Sequence, residues 1–182
     1  MSPPTRRCSV FLTPSGDDYN YCSTMIRELG PKFGAHPFEP HLTLYSGSFT
    51  DPKPLCDAAA SCFRGCAPMD LDIRGIGYTE EYFRTLFIEF EPKPLLLAMR
   101  NAIGTMIDDN GDTPFLPHLS LLYHEMPLEE KMALAAGIVL DRHTLRFDRV
   151  KIVTPGNSDA GWRDTLNWDT LASFGLDRAD PV

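Results

Sequence analysis

The sequence predicts an α+β fold: two lobes related by a pseudo-twofold axis, each an antiparallel sheet with helices on its outer face, with a cleft between them. Three observations support this. The phrase PFEPHLTL at 37–44 returns as PFLPHLSL at 114–121, with six of eight positions identical and Thr exchanged for Ser. The same 77-residue offset carries a whole series of elements onto a second series. Within both series, some segments alternate apolar and polar residues while others repeat apolar residues at helical spacing.

A strand is predicted over 8–13 (CSVFLT). A helix over 17–33 follows, opened by a capping box of Ser15 and Asp18, with Cys22, Met25, Ile26, Leu29 and Phe33 on one face. Next come a strand at 41–46 (HLTLYS), a helix at 52–64, and a strand at 69–78 in which Met69, Leu71 and Ile73 alternate. The second series has a strand at 85–90 (TLFIEF) and a helix from Pro94 (PLLLAMRNAIGTMIDD) with Leu96, Met99, Ile103 and Met106 on one face. It continues with a strand from His118 (HLSLLY), a helix from Pro127 (PLEEKMALAAG) and a strand from Leu145 (LRFDRVKIV). Pro94 and Pro127 suit first-turn helix positions. A last strand at 165–172 has no twin, and GNSDAG at 156–161 reads as a mobile loop. The chain is therefore read as one domain over 1–182, an internal duplication of roughly 8–78 and 85–154.

Composition narrows the function classes. At 182 residues with 43% hydrophobic and 23% charged residues, the chain can bury a core without staples. No apolar run approaches the ~20 residues that span a bilayer. The opening MSPPTRR is followed by CSVFLTP, which is too short for a signal h-region and is broken by Pro14. A cytoplasmic monomer with no membrane partner is the expectation. The net charge of -8, with scattered basic residues, argues against a grip on long nucleic acid, whose affinity comes from neutralising phosphates. A bound phosphate would belong to a small molecule or a nucleic-acid end. Cys8, Cys22, Cys56, Cys62 and Cys66 are odd in number and lack CxxC spacing, so they read as reduced thiols, although Cys62 and Cys66 could lie one helical turn apart.

The repeated phrase carries the chemistry. Residues i and i+2 share a strand face, so His41 and Thr43 point one way and Leu42 and Leu44 the other. His118 and Ser120 repeat this against Leu119 and Leu121. Pro40 and Pro117 fix how the chain enters each strand. A pseudo-twofold axis would bring the two His/hydroxyl pairs face to face. Two imidazoles can supply one proton donor and one acceptor, and two hydroxyls can donate to phosphate oxygens. Phosphoester hydrolysis needs this set. No carboxylate–histidine cluster has metal spacing, and neither a metal nor a cofactor is expected.

The paired HLTL and HLSL motifs resemble those of the two-histidine (2H, H-x-[ST]-x) phosphoesterase superfamily. PFLPHLSLLYHEMPLEEK is especially similar to the cyclic phosphodiesterase (CPDase) branch known from plants and yeast, and SVFLTP and EYFRTLFIEF are similar to it too. The resemblance covers nearly the whole chain and is strongest at 114–131. It implies a hydrolase acting on ADP-ribose 1'',2''-cyclic phosphate, a by-product of tRNA splicing, or on nucleoside 2',3'-cyclic phosphates. It also implies that His41 and His118 are the acid–base pair, that Thr43 and Ser120 bind phosphate, and that Tyr123 positions water or ligand. On that basis His118 is expected as general base and His41 as general acid. Strict alternation would turn Tyr123 away from His118, so its role requires β-strand geometry to break there; Tyr45, in phase with His41, is a competing aromatic. Phe11 stands where the branch often has Trp, and Phe11 and Phe83 are read as core residues rather than base-stacking ones. Structural or solvated roles are expected for Glu39 and Arg84, and loop positions for His36 and His143; His124 is in phase with Ser120 but at the strand's end. Two alternatives remain: an RNA-end-processing, 2',5' RNA ligase-like enzyme, disfavoured by the acidic balance, and a nucleotide-binding module without turnover.

Overall fold

The computed structural model describes residues 6–105, 107, 114–156 and 160–177. Met106, residues 108 and 109 at the end of the helix predicted from Pro94, residues 1–5 and the loop residues 157–159 lie outside the described residues. Among the described residues, seven strands and four α-helices follow in the order β1 (Arg6–Pro14), α1 (Gly16–Leu29), β2 (Leu42–Phe49), α2 (Pro52–Phe63), β3 (Met69–Gly77), β4 (Leu86–Phe90), α3 (Pro94–Gly104), β5 (His118–Leu122), α4 (Leu128–Gly137), β6 (Thr144–Thr154) and β7 (Asp169–Gly175). Among the described residues no helix is long and apolar enough to cross a membrane.

Local chemistry sets the helix limits. In α1, Cys22, Ile26 and Leu29 face the core. Its α-helical run stops at Leu29, four residues before the predicted end, because Pro31 has no N–H to donate. The chain tightens into a 3₁₀ turn, Gly30–Phe33, closed by Gly34 in the left-handed region. The expected capping box does not form. Ser15 is the N-cap residue but makes no side-chain cap bond, and the Asp18 carboxylate instead accepts from Arg142 and from the Arg146 backbone N–H. In α2, Asp51 caps the Lys53 N–H and Pro52 opens the first turn. Pro94 plays the same part in α3, whose Leu96, Met99 and Ile103 are buried. Pro127 sits one position earlier, at the N-cap of α4. The predicted last strand begins late, since 165–167 form a 3₁₀ turn before β7.

All strand pairs are antiparallel, as expected, but they form one sheet, in the order β1-β2-β5-β4-β3-β6-β7, rather than a separate sheet for each half. A further β1–β6 pairing closes the first six strands on themselves. The reason lies in the third strand of each repeat, which leaves its own half: β3 pairs with β4, and β6 pairs with β1. The sequence repeat has a counterpart in the register. Phe11 opposite Thr43 in β1–β2 has its twin in Phe87 opposite Ser120 in β4–β5. Phe11 opposite Lys151 is likewise matched by Phe87 opposite Gly77. The offset is 76 residues for the first strand, 77 for the second and 74 for the third, which is why the repeat blurs toward its end.

β2 and β5 touch through one pair, Leu42 opposite Leu119. Those two leucines are buried, with Leu12, Leu44, Ile88 and Leu121 around them. Burial at about 25 cal/mol per Å² of apolar surface makes this packing the main force that fixes the strand ends flanking the two histidines.

Candidate active site

Each histidine enters its strand through the same device. The His41 Nδ1 lies 2.6 Å from the Glu39 carbonyl, and the His118 Nδ1 lies 2.7 Å from the Leu116 carbonyl. Pro40 and Pro117 hold the intervening residue so that the carbonyl two positions back meets the ring. A carbonyl can only accept, so Nδ1 carries the proton and Nε2 of each neutral ring keeps a lone pair. Both rings line one cleft of about 280 Å³.

The surroundings of the two rings differ. His41 is 4% exposed, with the Phe11 ring stacked on it at a centroid distance of 3.7 Å. Burial is the main reason that its pKa falls from 6.5 to about 4; the Glu39 carbonyl opposes this, and His118 and Lys151 add to it. His118 is half-buried, with the Phe87 ring edge-on at 5.1 Å. Its pKa is lowered too, first by burial and then by Arg84, while the Leu116 carbonyl and the Glu81 carboxylate work against the fall.

A duplicated β-bulge decides which other side chains reach the cleft. The β1–β2 register slips between Val10 and Phe11, leaving Leu44 as an extra residue; the β4–β5 register slips between Leu86 and Phe87, leaving Leu121 extra. The slip puts Ser46 back in phase with Thr43, and Tyr123 in phase with Ser120. All four line the cleft. Tyr123, whose arrival required the strand to break its alternation, is buried against Phe38 at 3.9 Å, and its hydroxyl is 3.4 Å from His41 Nε2. Burial pushes its pKa well above the usual phenol range, so it remains a proton donor. The same bulge turns Tyr45 away, toward Arg100 of α3.

Thr43 lies on the cleft wall with no side-chain partner among the described residues. Ser120 Oγ donates to the Phe83 carbonyl at 2.9 Å. The structure thus brings His41, Thr43, His118, Ser120 and Tyr123 together. Arg84 also faces the cleft and forks onto Glu81. Glu39 pairs with Lys151, and Lys151 lies opposite Phe11 in the sheet, so the ion pair ties the approach to His41 onto β6. His124 packs beside Phe33, away from the cleft, and His36 and His143 are exposed loop residues. All five cysteines are free thiols; α2 ends at Phe63, so Cys66 follows the helix rather than continuing it. Among the described residues no cluster of three or more His, Cys, Asp or Glu is set to hold a metal.

Sequence reasoning missed Arg7, Ser9, Ser46, Trp162 and Trp168, which also line the cleft. Phe11, read as a core residue, is at once buried and the stacking partner of His41. The tryptophans offered one signal: both of the chain's copies fall within seven residues. Trp168 packs 5.6 Å from His41 and from Phe11, and donates its indole N–H to the Trp162 carbonyl.

Comparison with known proteins bears on the fold and the family. A cyclic phosphodiesterase from Arabidopsis thaliana is 21% identical over 173 residues, 92% of this chain and 94% of that protein. Escherichia coli LigT in its apo form superposes with a TM-score of 0.64 at 13% identity, covering 96% of this chain and 99% of its own. A Thermus thermophilus protein gives a TM-score of 0.65 at 18% identity, covering 96% and 100%. These two share the fold. The family model of the 2'-5' RNA ligase superfamily matches residues 21–159. The chain belongs to that superfamily of two-histidine phosphoesterases.

Proposed function

We propose that the cleft hydrolyses cyclic phosphodiesters, namely ADP-ribose 1'',2''-cyclic phosphate and nucleoside 2',3'-cyclic phosphates, to the monophosphates. The observation that carries this reading is the pair of Nδ1-anchored imidazoles, each with a hydroxyl two residues on, opening onto one cleft. Likeness to the Arabidopsis cyclic phosphodiesterase supports a cyclic phosphodiester as the substrate class.

In this mechanism a water attacks phosphorus and gives its proton to one Nε2. The ring P–O bond breaks, and the departing ribose oxygen takes a proton from the other Nε2. The two imidazoles exchange protonation state, and solvent resets them. Charge growing on the phosphoryl oxygens meets the hydroxyls of Thr43 and of Ser120, the latter after turning from the Phe83 carbonyl. These groups fill every role without a metal.

The surroundings favour a division of labour opposite to the sequence expectation. The His41 pKa falls to about 4 and its Nε2 meets the Tyr123 hydroxyl, which suits a base that is already unprotonated. The His118 pKa is lowered as well, by burial and by Arg84, but His118 is less buried than His41, and the Leu116 carbonyl and the Glu81 carboxylate work against the fall. A phosphate anion bound beside His118 would raise that pKa and favour the protonated ring. We therefore assign His41 as base and His118 as acid.

An assay panel of ADP-ribose 1'',2''-cyclic phosphate and the four nucleoside 2',3'-cyclic phosphates tests the reading. Turnover of at least one is expected, undiminished by a short RNA with a 2',3'-cyclic end. Failure on all five, or preference for the RNA end, contradicts it.

A further inference from the structure

The two halves of the cleft share a register but not a surface. On β1, Arg7, Ser9 and Phe11 share the face that lines the cleft. Their twins, 76 residues on, are Phe83, Thr85 and Phe87, and the twin of Ser46 is Tyr123. Where one half presents a ring the other presents a cation, and where one presents a phenol the other presents a small hydroxyl.

The Arg7 end is built for an anion. Arg7 is exposed at the cleft, and no carboxylate among the described residues pairs with it. Ser9 and Ser46 are hydrogen-bonded to each other at 2.7 Å. One of their two protons is used between them, which leaves one to donate outward. The opposite end is poor for an anion, because its guanidinium, Arg84, is already forked onto Glu81. Four residues of extended strand place the Arg7 backbone about 13 Å from Phe11, the residue stacked on His41. The long arginine side chain shortens that gap, so a second phosphate reaches it while the first sits between the histidines.

We propose that Arg7, with the Ser9–Ser46 hydroxyl pair, forms a second phosphate subsite, so that the preferred cyclic phosphate carries a further phosphate group. This rests on the reading of the cleft as a cyclic-phosphate site. The second phosphate can be the diphosphate bridge of an ADP-ribose-type molecule or the 5'-phosphate of a nucleotide.

The test separates binding from turnover. Adenosine 3'-monophosphate and adenosine 3',5'-bisphosphate differ by one phosphate, and Trp162 and Trp168 on the cleft wall report their binding by fluorescence quenching. The bisphosphate is expected to bind about 10-fold tighter, the value of one charge-assisted contact. Arg7→Gln is expected to abolish the difference while leaving the monophosphate affinity unchanged. Arg6→Gln removes the same charge from the other face, where Arg6 lies over Phe49, and is expected to keep the difference. Equal affinities on the native protein, a preference that survives Arg7→Gln, or the same loss from Arg6→Gln would overturn the subsite. Absence of any binding at millimolar concentration overturns both the subsite and the reading beneath it. Tight, Arg7-dependent binding with no hydrolysis of any cyclic phosphate contradicts only the catalytic reading. KM values of Arg7→Gln for ADP-ribose 1'',2''-cyclic phosphate and for a 5'-phosphorylated nucleoside 2',3'-cyclic phosphate identify the source. The substrate that loses its advantage over the unphosphorylated nucleoside is the one the subsite serves, and loss by neither overturns the proposal.

Discussion

The Tyr123 hydroxyl stands 3.4 Å from Nε2 of His41, so the second copy of the repeat supplies a group to the histidine of the first. Its twin, Ser46, cannot return the favour: a serine is too short to reach His118 and bonds Ser9 instead. One aromatic hydroxyl thus breaks the symmetry of a duplicated site.

Tyr123→Phe keeps the ring stacked on Phe38 but removes the hydroxyl. One hydrogen bond contributes about 1 kcal/mol. Turnover of a nucleoside 2',3'-cyclic phosphate is therefore expected to fall roughly 5- to 10-fold with the melting temperature little changed. Full activity in the variant would remove Tyr123 from the site's chemistry.

The burial of neutral His41 has a pH signature. Its folded pKa, about 4, lies below the ordinary 6.5, so the unfolded chain binds the extra proton first as pH falls. The stability contribution is complete above pH 6.5 and is lost between 6.5 and about 4, on the order of 3 kcal/mol in all. Chemical denaturation across that window should show a steeper fall for the native protein than for His41→Gln. Parallel curves would mean that His41 titrates normally.

Lys151 pairs with Glu39, and its cation helps to hold His41 unprotonated. Lys151→Met removes a charge that lowers the His41 pKa, so that pKa rises. A base must be unprotonated to work, and the acidic limb of kcat/KM is expected to move to higher pH. A limb that stays in place, or moves down, would show that another group sets it.

The hydroxyls are expected to matter, but unequally. Thr43→Ala removes a donor with no competing protein partner, for which a loss of about 10²–10³ in turnover is typical. Ser120→Ala removes a donor that already serves the Phe83 carbonyl, so it should also loosen Phe83 and raise KM. Circular dichroism and steady-state kinetics on both variants check this. Wild-type turnover in Thr43→Ala with normal substrate binding would contradict the assignment.

Much of this was legible in the sequence because the duplication writes it twice. Near-identical phrases around His41 and His118 marked the strands, their prolines and their hydroxyls, and periodicity marked Cys22, Ile26 and Leu29 on α1. The third strands were misplaced because sequence order suggests that β3 stays with its own half. Only long-range pairing shows that Gly77 meets Phe87, and Lys151 meets Phe11. Strict alternation would have put Tyr45 in the cleft and turned Tyr123 away; the bulges at Leu44 and Leu121 do the reverse, and two buried leucines leave no polar or glycine signal to read. Arg7 was invisible as a site residue because its twin is a phenylalanine, and only the register relates the two. Asp18 had a capping pattern, but a tertiary pairing with Arg142 won.

Separate jobs for the two histidines are tested most directly with a phosphodiester whose leaving group is too acidic to need protonation, such as a p-nitrophenyl ester. Both His41→Ala and His118→Ala are expected to lose hydrolysis of the ribose cyclic phosphate, with their folds intact. On the activated ester, His118→Ala should recover most of the native rate and His41→Ala should not. Recovery by His41→Ala alone would reverse the assignment, and wild-type turnover of the ribose substrate by either variant would contradict two-histidine catalysis in this cleft.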